Sequence, residues 1–307
     1  MHVHANHGGH DDGLDRRLRL SLWVTAAFIV VEFAAGIRAN SLALLSDAGH
    51  NFTDALALGL ALFAHRIGGL PASASKTYGY KRAGVLAAFV NALVLVALSL
   101  LIFWESYDRF LNPREVQDTI MLVVAGAGLV VNLVVMKALH GDSHHDLNVR
   151  GAYMHMLGDA LSSVGIIIGA LFIRQTNALW IDPLLSVLIG VLIIWSAWDV
   201  IRESLDILLE GAPRGIKLEE VSGALREVEG VIDIHDLHIW SLSSADHALS
   251  CHALIEDMPP SESSVILERI QTVLLQEFSI CHATVQFEHI ECCGAQEICS
   301  ETALHGS

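Results

Sequence analysis

Six long apolar blocks, at residues 20–36, 41–64, 83–104, 119–135, 152–173 and 179–200, constrain this 307-residue chain more than any other feature. Each approaches the ~20 residues that carry a helix across a bilayer. A helix satisfies its backbone hydrogen bonds internally, as a hydrocarbon surround demands. The blocks therefore read as six transmembrane helices. After Arg202 the chain turns mixed polar and apolar with no further block, which marks a soluble tail. This divides the chain into a His-rich segment at 1–15, a six-helix membrane domain at 16–205, a tail domain at 206–291 and a Cys-containing end at 292–307. Residues 1–12 lack the basic stretch and short apolar core of a cleavable signal, so the first helix is expected to be retained.

Basic residues near the block ends set the expected orientation. Eleven (Arg16, Arg17, Arg19, Arg66, Lys76, Lys81, Arg82, Lys137, Arg150, Arg202, Arg214) fall on one side, against Arg38, Arg109, Arg114 and Arg174 on the other. The positive-inside tendency then puts both termini in the cytoplasm. In the tail, a helical pattern at 218–228 precedes strands at 231–241 and 248–255, a helix at 263–278 and a strand at 283–290. The αββαβ order predicts antiparallel strands backed by two helices in a small open-faced sandwich.

The net charge of −16 comes with no basic face, which excludes nucleic acid as a partner and suits contact with cations. Three of the five cysteines, Cys292, Cys293 and Cys299, lie close together. In a cytoplasmic tail they read as reduced thiols or metal ligands. His2, His4, His7 and His10, and later His140, His144 and His145 with Asp142 and Asp146, form tracts of the kind that collects metal, or plain solvated segments.

Ionisable side chains inside membrane helices are costly, so each calls for a functional reading. The second block holds Asp47, His50 and Asp54, and the fifth holds His155 and Asp159. His50/Asp54 and His155/Asp159 share an i,i+4 spacing that puts both members of each pair on one helix face. A lone histidine in an apolar helix reads as a packed residue. Two matched pairs instead supply two imidazoles and two carboxylates, a tetrahedral set suited to zinc and poor for magnesium or calcium. Asp47, one turn before His50, either lines an access path or hydrogen-bonds a ligand from behind. Glu32 either relays protons or joins two helices. Asp182 and Pro183 read as the start signal of the sixth helix.

These residues bring a family into view. Ser41-Leu-Ala-Leu-Leu-Ser-Asp-Ala-Gly-His50-Asn-Phe-Thr-Asp54, Tyr78-Gly-Tyr-Lys-Arg82, Gly151-Ala-Tyr-Met-His155-Met-Leu-Gly-Asp159 and His235-Asp-Leu-His-Ile-Trp240 resemble the cation diffusion facilitator family, over about residues 15–290. The resemblance implies a six-helix membrane domain followed by a cytoplasmic ferredoxin-like α+β domain, assembled as a homodimer in the lipid of a bacterial inner membrane. It implies export of zinc, with cadmium and cobalt as secondary substrates, by alternating access in exchange for protons. His50, Asp54, His155 and Asp159 would be the transport site.

In the tail, His235, His252, His282 and Glu288 fall where family members bind a regulatory zinc. Cys292 and Cys293 would add thiolates, as in some members. His235 and His238 are an odd number apart on a strand and are expected to face opposite sides, His235 as ligand and His238 packed beside Trp240. One departure is the loop at 66–82, which has neither acid nor histidine, so the further metal site of some bacterial relatives is expected to be absent. A metal sensor anchored by its helices would need only one or two spans. An intramembrane metalloenzyme would need a general base, and no His-Glu-x-x-His segment occurs, so the chain reads as a transporter and not an enzyme.

Overall fold

A computed structural model of the chain describes residues 11–139 and 147–290, with side chains at 11–24, 65, 138–139 and 147–152 outside that description. The His-rich segments and Cys292, Cys293 and Cys299 therefore lie outside the described residues. Among those described, six long helices come first: α1 (Asp11–Ala39), α2 (Leu42–Gly68), α3 (Ala83–Leu111), α4 (Asp118–Leu139), α5 (Leu147–Thr176) and α6 (Ile181–Leu208). Four of them, α3 to α6, are long and apolar enough to cross a membrane, with mean hydropathies of 2.8, 2.4, 2.0 and 2.2. α2 is as long but less apolar, because Asp47, His50, Asn51 and Asp54 crowd its first half.

Small residues let these helices approach closely. A Cβ added at Gly128 in α4 would come within 2.8 Å of the Phe28 ring of α1. One added at Gly169 in α5 would run into Leu185 of α6.

The start of α2 is fixed by a residue far away in sequence. The turn from α1 passes through Asn40, at φ 52°. α2 has no acid in its own first turn, and the fully buried Asp182 of α6 fills that role. Its carboxylate accepts hydrogen bonds from Ser41 Oγ (2.6 Å), Leu42 N (2.8 Å) and Ala43 N (3.2 Å). Arg109 at the end of α3 lies 3.4 Å from the same carboxylate and donates to the Asn40 carbonyl at 2.6 Å. Asp182 does stand in the first turn of its own helix, as expected, and it has a second task there. Its side chain also serves the orphan N–H groups and positive end of α2.

The tail comprises α7 (Leu218–Arg226), β1 (Val231–Ser241), β2 (His247–Ile255), α8 (Pro260–Phe278) and β3 (Ile280–Glu288), with sheet order β1-β2-β3. β1 and β2 are antiparallel, but β3 runs parallel to β2, against the all-antiparallel expectation. The 19-residue α8 is roughly 28 Å long, enough to return the chain to the end where β2 began. Val221, Leu225, Ile239, Leu249, Ile270, Leu274 and Ile280 form the core between helices and sheet.

Cys251 is buried in this core, and burial pushes its thiol up to about 11. At pH 7.5 its thiolate fraction is below ~0.1%, against about 10% for an ordinary exposed thiol. Maleimide treatment of the folded protein should therefore label the exposed Cys281 and spare Cys251 until denaturant is added, as read by peptide mass mapping.

Candidate metal centres

The i,i+4 spacing of α2 places His50 and Asp54 on one face, and that of α5 does the same for His155 and Asp159. The fold brings the two faces together. Asp54 Oδ2 lies 3.4 Å from His50 Nε2 and 3.4 Å from His155 Nε2, while His155 Nε2 is 3.6 Å from Asp159 Oδ2. The two imidazoles meet edge to face with centroids 6.0 Å apart. Donor atoms of His50, His155 and Asp159 lie within 4.8 Å of one another. Ligands about 2.1 Å from a tetrahedral zinc stand about 3.4 Å from each other, so the carboxylate–imidazole spacings match the edges of such a tetrahedron. Asp54 Oδ2 and His50 Nδ1 are buried and lack a hydrogen-bond partner, which suits atoms with another bond to make.

Two further acids flank the set. Asp47 is buried and accepts a 2.6 Å hydrogen bond from Ser162 Oγ of α5. Glu32 of α1 is buried and accepts from Asn51 Nδ2 of α2 at 3.4 Å. Both tie neighbouring helices together, Asp47 joining α2 to α5 and Glu32 joining α1 to α2.

A second cluster forms on the tail sheet, one residue from each strand. His235 and His252 are register partners on β1 and β2, their rings 5.3 Å apart. Glu288 ends β3, with Oε2 3.2 Å from His235 Nε2 and Oε1 3.0 Å from His252 Nδ1. His235 Nε2 and Glu288 Oε2 are buried and face each other, and neither makes a well-directed hydrogen bond among the described residues. His282 does not join them. It lies six residues before Glu288 on the same strand, roughly 20 Å away along it, with its ring 5.9 Å from that of Tyr78.

His238 also departs from expectation. It is exposed, not packed, with Nε2 3.0 Å from Asp236 Oδ1. The register steps from His235↔His252 to His238↔Ser250, three residues against two, so β1 carries one extra residue there. Asp236 takes the left-handed conformation at this bulge, φ 50°. Sequence reasoning passed over Asp236, since alternation turns it away from His235. The one signal available was an Asp, a residue that tolerates φ > 0, at the centre of the His-rich stretch.

Two family models and several full-length relatives match the chain. Residues 18–209 match the family model described as the cation efflux transmembrane domain, and residues 213–290 match that of the cation efflux protein cytoplasmic domain. The metal cation efflux system protein CzcD of Cupriavidus metallidurans is 39% identical over 97% of this chain and 95% of its own. A cadmium, cobalt and zinc/H(+)-K(+) antiporter of Bacillus subtilis is 41% identical over 91% of each chain. The zinc transporter ZitB of Escherichia coli is 40% identical over 95% of this chain and 93% of its own.

Proposed function

The chain belongs to the cation efflux family, and on that premise we propose that it exports zinc, with cadmium and cobalt as further substrates, in exchange for protons. The observation that carries this reading is the single carboxylate oxygen of Asp54, 3.4 Å from an imidazole of its own helix and from one of α5. Around it, His50, Asp54, His155 and Asp159 form the transport site, holding zinc as substrate. The relatives' names support the choice of cation. The protein works as a homodimer in a bacterial inner membrane, with both termini in the cytoplasm, by alternating access. Its tail cluster of His235, His252 and Glu288 holds a regulatory zinc.

Proton exchange follows from the ligand types. Zinc binds neutral imidazole and ionised carboxylate, so any proton on these groups must leave when the metal arrives. Metal and protons thus compete for the same four side chains, and no separate proton channel is required. In sealed vesicles reconstituted with the protein, zinc flux should accelerate when the receiving side is acidified, with protons moving the opposite way. Equal flux with and without a pH gradient, at zero membrane potential, would replace exchange with facilitated diffusion.

A further inference from the structure

We propose that Asp236 is a positioning residue for the tail metal cluster and relays its occupancy to His238, at the cavity beside the α2–α3 loop. The inference rests on reading His235, His252 and Glu288 as a zinc site. The two ring nitrogens of His252 face different acids. Nδ1 lies 3.0 Å from Glu288 Oε1, on the cluster side. Nε2 lies 3.6 Å from Asp236 Oδ2, on the far side of the ring. A zinc bound with Glu288 and His235 therefore takes His252 through Nδ1, and Asp236 stands too far round the ring to be a ligand.

Its role is the other one open to a carboxylate here. A metal-ligating histidine donates its second ring N–H to an acceptor that fixes its tautomer and orientation. Asp236 stands 3.6 Å from Nε2, just beyond hydrogen-bond length, so a small turn of its side chain lets it accept from Nε2–H and leaves Nδ1 free for the ion. The β1 bulge makes this possible. Regular alternation would send residue 236 to the opposite face from 235, whereas the left-handed turn at φ 50° brings its carboxylate within reach of His252.

The same carboxylate holds His238, through Oδ1 at 3.0 Å. His238 lines a cavity of about 970 Å³ together with Tyr78, Lys81, Arg82 and Trp240, the first three from the loop that continues α2. With a zinc ion held at Nδ1, the His252 imidazole would be a stronger N–H donor. Asp236 would then turn toward His252 and loosen its hold on His238. Metal occupancy of the tail is thereby read at the loop joined to the helix that carries His50 and Asp54.

The test uses the full-length protein in detergent with Asp159→Ala, so that zinc titration reports the tail cluster. Asp236→Gly accepts the left-handed backbone while removing the carboxylate. It should weaken tail zinc about 10- to 100-fold. Asp236→Asn, which also tolerates that backbone and keeps an acceptor oxygen, should recover most of the loss. Carbethoxylation of His238, followed by peptide mass mapping, should rise on adding zinc when Asp236 is present and be indifferent to zinc in Asp236→Gly. Undiminished affinity in Asp236→Gly, or His238 labelling that ignores zinc in the Asp236 protein, would overturn the relay. His252→Ala serves as control for the cluster itself. If it retained the tail ion, the zinc-site reading would fall and the relay with it.

Discussion

Replacing Asp159 or Asp54 by alanine is expected to reduce zinc flux to the level of empty vesicles. Each change leaves three donors and removes one of two negative charges that offset the ion's own. Asp54 matters most geometrically, because its Oδ2 lies 3.4 Å from both imidazoles. Its loss separates the α2 half of the site from the α5 half. His50→Asp should behave differently. It keeps four donors but turns the set from N2O2 to NO3, so transport persists while discrimination against harder cations weakens. Radiotracer uptake in vesicles, with manganese as competitor, measures both effects. Normal zinc flux through Asp159→Ala would remove the site assignment.

The second large effect is expected at Asp182, about which the sequence said least. Alanine there strips α2 of its capping carboxylate and takes the fully buried one of two acids from the Arg109 guanidinium, 6% exposed, leaving it Glu105 Oε1 at 3.0 Å. Breaking one side of a buried pair costs about 3–5 kcal/mol when the other charge is left alone, and Glu105 beside Arg109 lowers that cost here. Thermal unfolding in detergent should show a clear loss of stability, and the variant should accumulate poorly. Adding Arg109→Met removes the buried guanidinium that faces Asp182, so the double variant should lose less than the two single changes summed. Non-additivity on the order of 1–3 kcal/mol would mark the coupling. An Asp182→Ala protein that unfolds at the parent's temperature would show that the cap carries no weight.

What could be read from sequence divides along physical lines. The membrane helices were legible because apolar length is a local property, and the His50/Asp54 and His155/Asp159 pairs because helical periodicity is local too. Their convergence could be anticipated from cost, since four polar side chains in a membrane need one another. The parallel direction of β3 was hidden, because strand order alone leaves open which way the chain emerges from α8. The cap on α2 was hidden as well, as Ser41 and Asp182 stand 141 positions apart and Asp182 already had a local explanation. In the tail, period-two reasoning failed at one residue. The extra position at Asp236 altered the environment of His238, and a bulge leaves no mark in an alternating pattern. His282 was grouped with Glu288 by resemblance, although strand rise alone separates them along β3.

The fixed start of α2 also makes that helix a lever. Leu42 is held by the Asp182 carboxylate, while His50 stands eight residues on, about 12 Å along the axis. The far end of the 27-residue helix lies about 39 Å from the same fulcrum. A tilt that shifts the metal ligands by on the order of 1 Å, the scale on which donors tighten around an ion, swings Gly68 by roughly three times as much. The mechanical advantage runs in reverse too. A push on the loop after α2 arrives at His50 reduced about threefold in distance and raised to match in force, so coarse movements outside the bilayer become fine adjustments at the ligands.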